Sequence, residues 1–469
     1  MKKSMLILFF LFLSYNSFAQ CYTTVVTSRN DIIAKRTDGT LWGRGANLYG
    51  NLGLGTTGLV SVLTQIGTAT NWTNTISAGG SNTFAIKTDG TLWVWGQNTF
   101  GTLGLGLPNQ EIVAIPTQVG VANTWVKVIN GPGISLAIKS NGTLWSWGTN
   151  NAGKLGTGNT DNIYQVNVPT QVGIAINWQS VYSGFAGNFA IKTDGTLWSW
   201  GSGTSNQLGY PNANVNNAYR TPHQVGTDTN WATVSVGSTI TFGIKTDGTI
   251  WAWGRTDIDS APYLFGNGLQ PYTSILPIQI GTDTNWKIVS VDSETITALK
   301  TNGTRWGWGY NSQYQLGMGL GMNAFVTVPT QSDTATDWIT INYTTGLKQN
   351  NSLYYWNGLY PYGAGLQVNV PTLYGTDCSL ATKNFAINEI VAYPNPVSTI
   401  ATIRLNEFIG NNCEVRVVNN LGQTVYEDKK MILNDANEFL LNMASIPTGV
   451  YTVRIKCNTK VLQTKIIKN

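Results

Sequence analysis

The sequence contains very little histidine, few charged residues and few cysteines for its length. Of 469 residues, one is histidine, four are cysteine and only 11% are charged. A Ser-His-Asp site would have to use His223, which occupies the Thr position of a repeated Pro-Thr-Gln-Val tetrad, so a scaffold role is favoured there. No segment beyond the N-terminal leader contains eighteen consecutive apolar residues, which excludes a transmembrane helix in the rest of the chain. We therefore predict no catalytic residue, metal site or cofactor.

The N-terminus is typical of a secretory signal. Lys2 and Lys3 precede an apolar run over residues 5–13, and Ser17, Phe18 and Ala19 lie before Gln20. This order predicts a cleaved signal peptide at 1–19 and a mature chain beginning at Gln20. A lipoprotein would be acylated at Cys21, but Gln20 is a poor residue before an acylated cysteine.

The net charge of +5 is not concentrated on one surface. Residues 20–382 contain 16 basic and 16 acidic residues, whereas residues 383–469 contain 10 and 7. A neutral central region without a basic cluster argues against nucleic acid as a partner.

A short motif recurs seven times along the central region. The copies are TDGTLWGRG (37–45), TDGTLWVWG (88–96), SNGTLWSWG (140–148), TDGTLWSWG (193–201), TDGTIWAWG (246–254), TNGTRWGWG (301–309) and the degraded QNNSLYYWN (349–357). Successive turns lie 48 to 55 residues apart. A fixed period near fifty with a strand-like core predicts a propeller or a repeat array.

Each copy has the composition of a tight hairpin. Asp-Gly or Asn-Gly predicts a type I′ turn, in which both central residues have positive φ. After the turn, Trp93 and Trp95 share one strand face, while Leu92 and Val94 point to the other. Because both faces are apolar, each sheet is predicted to lie between two others. Seven such sheets closed into a ring form a seven-bladed β-propeller, and the chain is all-β.

The repeat also accounts for all 18 tryptophans, which favours a structural role for them. Twelve lie in the hairpins, and six follow the tetrad nine residues after its first position, as Trp125 follows Pro116. A basic residue recurs before each turn, as at Lys87, and is predicted to be the solvated end of a strand. Length variation is concentrated between the hairpin and the next tetrad, so the variable segments are predicted to carry the function.

The motif LWSWG followed by GxNxxGxLGxG, as in 96–106 and 148–158, resembles the repeat of the regulator of chromosome condensation family. The resemblance covers about residues 22–380 and implies a seven-bladed propeller. The family includes the nuclear exchange factor for the small GTPase Ran and secreted bacterial propellers resembling a β-lactamase inhibitor. The predicted signal peptide excludes the nuclear role. Two features depart from the family: Arg44 replaces the second tryptophan of the first copy, and a histidine frequent before the hairpin is absent.

The composition changes after residue 382. Tryptophan disappears, and alternating apolar residues with turn signals predict about seven short strands, hence a small immunoglobulin-like β-sandwich over 383–469. Several residues of this tail resemble the type A sorting domain of the type IX secretion system of Bacteroidetes. They are Tyr393, Pro394, Asn395, Pro396, Leu421, Gly422, Gln423, Gly449 and Tyr451. The resemblance implies the type IX secretion machinery as a partner, passage through periplasm and outer membrane, removal of the tail, and release or attachment to surface polysaccharide.

The four cysteines are compatible with an oxidising compartment. Cys21 and Cys378 bracket the propeller region, and Cys413 and Cys457 both lie in the tail. We expect these two pairs to form disulfides, the first of which would join the ends of the ring.

The predicted function is recognition of an extracellular protein or polysaccharide without catalysis, by a protein that is secreted or displayed on the outer cell surface. Aromatic and charged residues of the variable segments are the candidate binding face. They are Tyr164, Tyr210, Tyr219, Arg220, Arg255, Asp257, Asp259, Tyr263, Phe265, Tyr272, Tyr310, Tyr314 and Phe325. One alternative is a polysaccharide hydrolase or lyase with a carboxylate pair drawn from Asp161, Asp257, Asp259, Asp292 and Glu294. Another is an adhesin or structural surface protein.

Overall fold

A computed structural model describes residues 21–28, 31–158, 164–185, 187–211, 218–256, 264–268, 273–292, 294–356, 368–374, 390–393, 395–405, 413–419, 422–431, 438–457 and 460–469. The chain divides into a larger unit, Gln20–Asp377, and a smaller one that includes Cys378–Asn469. The predicted signal peptide lies outside the described residues.

The larger unit consists of seven four-stranded antiparallel sheets, each built from four consecutive strands. The first sheet contains β1 (Tyr22–Ser28), β2 (Asp31–Arg36), β3 (Leu41–Gly45) and β4 (Val60–Gln65), and the second contains β5 (Trp72–Gly79), β6 (Asn82–Lys87), β7 (Leu92–Gln97) and β8 (Ile112–Gln118). The third sheet contains β9 (Trp125–Gly131), β10 (Ile134–Lys139), β11 (Leu144–Thr149) and β12 (Gln165–Gln171). The fourth contains β13 (Trp178–Ser183), β14 (Gly187–Lys192), β15 (Leu197–Ser202) and β16 (Ala218–Gln224). Single 3₁₀ turns at Thr99–Gly101 and Asn151–Gly153 interrupt two loops.

Sheets five to seven follow the same pattern. The fifth sheet contains β17 (Trp231–Val236), β18 (Ile240–Lys245), β19 (Ile250–Arg255) and β20 (Thr273–Gln279). The sixth contains β21 (Trp286–Asp292), β22 (Thr295–Lys300), β23 (Arg305–Asn311) and β24 (Ala324–Gln331). The seventh contains β25 (Trp338–Ile341), β26 (Thr345–Lys348), β27 (Leu353–Tyr355) and β28 (Thr372–Leu373). First strands of successive sheets contact one another, and contacts between β1 and β26 join the first sheet to the seventh. The predicted seven-bladed propeller is confirmed.

The hairpin turns differ from the predicted type I′ geometry. In the second blade, Lys87 N donates to Thr91 O and Gly90 N donates to Lys87 O, which closes a three-residue loop. Gly90 has φ +79°, whereas Asp89 has no positive φ. This is a type I turn followed by a left-handed glycine. The Asp89 carboxylate instead accepts hydrogen bonds from Thr91 N and Oγ1, and so fixes the turn from its side chain.

The tryptophans lock adjacent blades together. Trp147 Nε1 in β11 donates a 2.7 Å hydrogen bond to Thr102 O, which lies in a loop of the preceding blade. A Cβ added to Gly104 of that loop would lie 2.7 Å from Trp147 Nε1. The LGxG segment therefore needs glycine because the indole of the next blade packs directly on its backbone. Equivalent bonds are made by Trp95, Trp200, Trp253, Trp308 and Trp356.

The recurrent basic residue is not a solvated strand end, and that prediction was wrong. Lys139 Nζ lies 3.7 Å from the centre of the Trp145 ring and 4.7 Å from that of Trp125. The ammonium therefore stacks between the first hairpin tryptophan and the strand-one tryptophan of its own blade, a cation–π contact. In the fifth blade Lys245 adds an ion pair of 2.9 Å to Asp228.

The ring closes through Tyr22. Trp125 N donates to Gly90 O, the standard contact between one blade's first strand and the previous blade's turn. Tyr22 N makes the same contact with Asn351 O of the seventh blade at 3.0 Å. Tyr22 is fully buried and therefore takes the place of the seventh strand-one tryptophan.

The smaller unit consists of a three-stranded and a four-stranded sheet around one apolar cluster. Their strands are β29 (Ile390–Tyr393), β30 (Ile400–Leu405), β31 (Cys413–Asn419), β32 (Thr424–Met431), β33 (Glu438–Asn442), β34 (Gly449–Cys457) and β35 (Lys460–Lys468). The number of strands agrees with the sequence, while the immunoglobulin-like connectivity stays a prediction.

The strand register bears on one of the predicted disulfides. Cys413 and Cys457 are directly opposite in the pairing of β31 with β34. The disulfide between Cys413 and Cys457 itself stays a prediction. Cys378 lies outside the described residues, so its pairing with Cys21 stays a prediction.

Candidate ligand-binding face

The repeat places its variable segments on one side of the ring. Within each blade, the turn after the first strand and the loop after the third strand emerge at the same end of the sheet, because antiparallel strands alternate in direction. We call this side the loop face. The opposite side, called the turn face, carries the hairpin turns such as 88–90 and the connections between blades such as 119–124.

The structure brings several predicted residues into aromatic clusters near the loop face. Tyr164 is 60% exposed and makes an edge-to-face contact of 6.2 Å with Phe100. Tyr310 stacks on exposed Phe325 at 4.6 Å. Tyr314 is half-buried and has a left-handed backbone, φ +64°.

Other predicted residues are poor candidates for direct contact. Tyr210 and Phe265 are buried, so they cap the blades. Burial also raises the pKa of Tyr210. Tyr219 packs between Tyr210 and His223, with ring centres 4.8 and 5.1 Å away. The Tyr219 ring is therefore used in packing, which makes it a weaker candidate for contact with a ligand.

The structure describes two of the charged residues among the candidate binding residues, Arg220 and Arg255. Arg255 is exposed at the end of β19. Arg220 is half-buried, and its main-chain oxygen accepts a hydrogen bond from Gly158 N of the preceding blade. Asp257, Asp259, Tyr263 and Tyr272 lie outside the described residues, so their contribution stays a prediction.

Two aromatic residues were missed by the sequence reasoning. Phe185 is 69% exposed in the turn after β13, a segment of nearly constant length, so length variation did not single it out. Phe100 has φ +57°, a conformation that bulky residues rarely adopt. Left-handed backbone at a non-glycine residue costs energy, and sequence alone gave no sign of it.

Lys154 connects these aromatic positions. Its Nζ donates to Pro132 O at 3.1 Å and to Phe185 O, and lies 5.9 Å from the centre of the Phe185 ring. The neighbouring Gly133 faces the Phe100 ring, with 3.6 Å between an added Cβ and Phe100 Cδ2. Burial lowers the pKa of Lys154 to about 8. Buried Lys154 and the neighbouring segment 132–133 thus link Phe100 of blade two to Phe185 of blade four.

Among the described carboxylates, only Asp292 and Glu294 of the proposed catalytic pair can be placed. Both flank the turn between β21 and β22. Burial raises the pKa of Tyr343, and the charge of Asp292 raises it further. The described residues contain no group of three or more His, Cys, Asp or Glu side chains that could hold a metal ion. His223 Nδ1 lies 2.8 Å from Thr221 O on the outer strand β16. This arrangement offers aromatic faces and single polar groups, which suit binding.

The sorting-motif residues make contacts inside the tail. Asn395 Oδ1 accepts a hydrogen bond from Ile467 N, and Asn395 Nδ2 donates to Lys465 O, which holds the segment after β29 against β35. Gly422 has φ +79° in the turn before β32. Tyr451 donates its hydroxyl to Pro447 O at 2.7 Å. Pro394 and Leu421 lie outside the described residues.

Comparison with family models agrees with this architecture. Regulator of chromosome condensation (RCC1) repeats match residues 74–102, 89–138, 141–191 and 194–244, and a secretion system C-terminal sorting domain matches residues 391–469. The mitochondrial RCC1 domain-containing protein RUG3 of Arabidopsis thaliana is 34% identical over 36% of this chain and 39% of its own length. The ultraviolet-B receptor UVR8 of the same plant is 32% identical over 37% and 39%. The matched part thus spans about two fifths of these relatives.

Solved structures show the same fold. Human WBSCR16 superposes with a TM-score of 0.60 at 18% identity, covering 69% of this chain and 84% of that one. Prp20p of Saccharomyces cerevisiae gives a TM-score of 0.57 at 20% identity, covering 67% and 78%. The β-propeller therefore contains RCC1 repeats within residues 74–244, and a secretion system C-terminal sorting domain follows at 391–469. The sorting domain indicates secretion or surface display through the type IX system. No helix in the described part is long and apolar enough to cross a bilayer.

Proposed function

We propose that the protein is a non-catalytic recognition propeller that acts outside the cell and binds a protein or polysaccharide with its loop face. The observation that carries the proposal is the edge-to-face contact on the loop face between exposed Tyr164 and half-buried Phe100. Aromatic rings held on loops above a rigid scaffold supply contact area at low entropic cost.

The sorting tail supports the location of this activity. We propose that residues 391–469 direct export through the type IX machinery and are then removed. The propeller is afterwards either released or attached at the surface. Deleting 391–469 should trap the chain in the periplasm, which fractionation and immunoblotting would detect.

A thermal-shift panel with the full chain tests the binding proposal. Polysaccharides and candidate extracellular proteins are added, and a ligand at a hundredfold excess over its dissociation constant stabilises the native state by about 2.7 kcal/mol. The shift should be lost in Phe100→Gly with Tyr164→Ala, in which glycine suits the positive φ at position 100. Val62→Ala, an exposed position on an outer strand, is the matched control. A shift that survives the double variant would remove the loop face from the proposal.

A further inference from the structure

Side-chain amides surround the aromatic pair on the loop face, where blades two and three meet. Tyr164 of blade three is 60% exposed and contacts the half-buried ring of Phe100 from blade two at 6.2 Å. Phe100 N donates to Asn109 Oδ1 at 2.6 Å. The exposed Asn109 therefore lies beside the aromatic pair.

Two further amides come from β12, the outer strand of blade three. Asn167 packs on the loop of blade two, since a Cβ added to Gly101 would lie 2.6 Å from Asn167 Oδ1. Gln165, which follows Tyr164 in the chain, donates from Nε2 to the same Asn167 Oδ1 at 3.1 Å. These contacts join five residues into one surface, which we call the amide–aromatic cluster. They are Phe100, Asn109, Tyr164, Gln165 and Asn167.

The amides of the cluster keep hydrogen-bonding capacity for a ligand. A side-chain amide offers two donor hydrogens and one acceptor oxygen. In the described contacts, Asn109 and Asn167 use their oxygens and Gln165 uses its nitrogen. The Nδ2 groups of the two asparagines can therefore donate to a ligand, and Oε1 of Gln165 can accept from one.

The loop face of blades two to four carries little charge. Its segments 80–81, 98–111, 132–133, 150–164, 184–187 and 203–217 contain three charged residues, Glu111, Lys154 and Asp161. Lys154 is buried, and its ammonium bonds to main-chain oxygens of the turns after β9 and β13. Glu111 is exposed, and Asp161 lies outside the described residues. These segments therefore present no exposed cation in the part of the chain that the structure describes.

The other basic residues of blades two to four lie away from the cluster. Arg220 is half-buried and packs on Gly153, where blade four meets blade three. Four lysines lie in the halves of their strands nearer the turn face, namely Lys87, Lys127, Lys139 and Lys192. An anionic ligand at the cluster would thus meet no complementary charge, and the exposed Glu111 would repel it.

We propose that the amide–aromatic cluster binds a neutral polysaccharide, an inference that rests on the recognition role proposed above for the loop face. Sugar hydroxyls both donate and accept hydrogen bonds, as side-chain amides do. The C–H face of a sugar ring is apolar and packs on an aromatic ring such as Tyr164. A protein partner is favoured less, because the charge complementarity that selects protein partners has little to act on here.

A glycan array with the labelled full chain tests the proposal. The array carries neutral glucans, mannans, galactans and xylans beside anionic uronates and sulfated glycans. Neutral glycans should be retained and anionic glycans should not. For the neutral glycan that is retained best, isothermal titration calorimetry should give an affinity that changes less than about twofold between about 50 and about 500 mM NaCl, because salt screens only charges.

Single variants connect binding to the cluster. Tyr164→Ala and Asn109→Asp should each lower the affinity about tenfold, since one removes the stacking ring and the other removes donor hydrogens. Asn109→Asp keeps the Oδ1 atom that Phe100 N bonds. Gln110→Glu is the matched control, because it adds the same charge at the next residue and should leave the affinity for a neutral ligand within about twofold. All three melting temperatures should stay within about 2 °C of the parent, as expected for surface changes.

The proposal is overturned if no neutral glycan binds at about 1 mM, if anionic glycans bind better, or if Tyr164→Ala and Asn109→Asp bind like the parent. A protein ligand whose binding is lost in Phe100→Gly with Tyr164→Ala would overturn the polysaccharide and leave the recognition role of the loop face in place. Glycan and protein binding that both survive this double variant would overturn the two proposals together.

Discussion

Two separate structural constraints require glycine at position 90. Its φ of +79° is one that side chains rarely adopt, and a Cβ there would lie 2.1 Å from Asn123 O of the next connection. The same two constraints apply at Gly39, Gly142, Gly195, Gly248 and Gly303. The recurring Asp-Gly thus reflects both a turn and a contact between blades.

Gly90→Ala is expected to destabilise the protein by more than backbone strain alone. Gly120→Ala is the matched control, because Gly120 has φ +58° but nothing within 4 Å of an added Cβ. The control should cost about 1–2 kcal/mol, and Gly90→Ala at least twice as much, since main-chain atoms must move. Urea denaturation followed by tryptophan fluorescence measures both. Equal costs would show that the contact between blades is unimportant.

The lowered pKa of Lys154 leads us to expect that the free energy of unfolding rises at alkaline pH. Its folded pKa is about 8, below the unfolded value of 10.5, because burial disfavours the charge. Between these values the unfolded chain binds more protons than the native one, so the free energy of unfolding increases with pH. The increase from pH 8 to 10.5 should be about 3 kcal/mol at most. In Lys154→Met this part of the pH dependence should vanish; an unchanged profile would mean that the amine is not desolvated.

At the scale of the strand, the two hairpin tryptophans of one blade have different roles. Trp147 is fully buried and bonds to Thr102 O, whereas the half-buried Trp145 bonds to Thr143 Oγ1 beside its own turn at 2.9 Å. The first tryptophan supports its own hairpin, and the second ties two blades together.

Trp147→Phe should therefore cost more than Trp145→Phe. The first change removes a fully buried hydrogen bond between blades, worth about 0.5–1.5 kcal/mol, while Thr102 O keeps the Ser135 hydroxyl as a donor. It also removes part of a fully buried indole that packs on the preceding blade. The second removes a bond made by a half-buried indole within one blade, and Thr143 Oγ1 keeps its bond to Asn141 Oδ1. Chemical denaturation of both variants gives the comparison, and a larger loss for Trp145→Phe would reverse the assigned roles.

The strand elements show where sequence reasoning succeeds and where it fails. The hairpin strands and the burial of the tryptophans could be predicted, because periodicity and apolar content fix which faces are covered. The turn type could not, since Asp-Gly is compatible with both two-residue and three-residue loops. The position of Lys139 between Trp125 and Trp145 was also missed, because a residue from the first strand of the blade completes that contact.

For the whole molecule, closure of the ring depends on a residue that the repeat pattern did not identify. Tyr22 makes the contact that tryptophans make elsewhere, and it packs with Leu347 and Leu353 of the seventh blade. Its place was not evident because the first copy of the motif begins after it. The fold pattern is thus visible in sequence, while the closing residue requires three-dimensional contacts.

Tyr22→Ala is expected to destabilise the ring by about 3–5 kcal/mol, the cost of removing a buried aromatic side chain. Tyr22→Trp restores the residue found at the other six positions and should retain most of the stability. Differential scanning calorimetry distinguishes the two outcomes. If Tyr22→Ala melts like the parent protein, the closing contact is not important for the ring.

The exposure of the candidate binding residues was predictable only in part. Tyr164, Tyr310 and Phe325 were chosen because they interrupt the repeat, and they do form ring contacts near the loop face. Tyr210 and Phe265 satisfy the same sequence criterion but are buried. Sequence variation identifies where side chains can differ, whereas exposure depends on how adjacent blades pack.

Hydrogen–deuterium exchange with the ligand found by the thermal-shift panel tests the central claim most directly. The account predicts that ligand slows exchange in loop-face segments 47–58, 98–111 and 150–158, while the hairpin turns of the turn face are unchanged. Protection confined to the turn face, or to the tail at 391–469, would contradict the assignment of the loop face as the recognition surface.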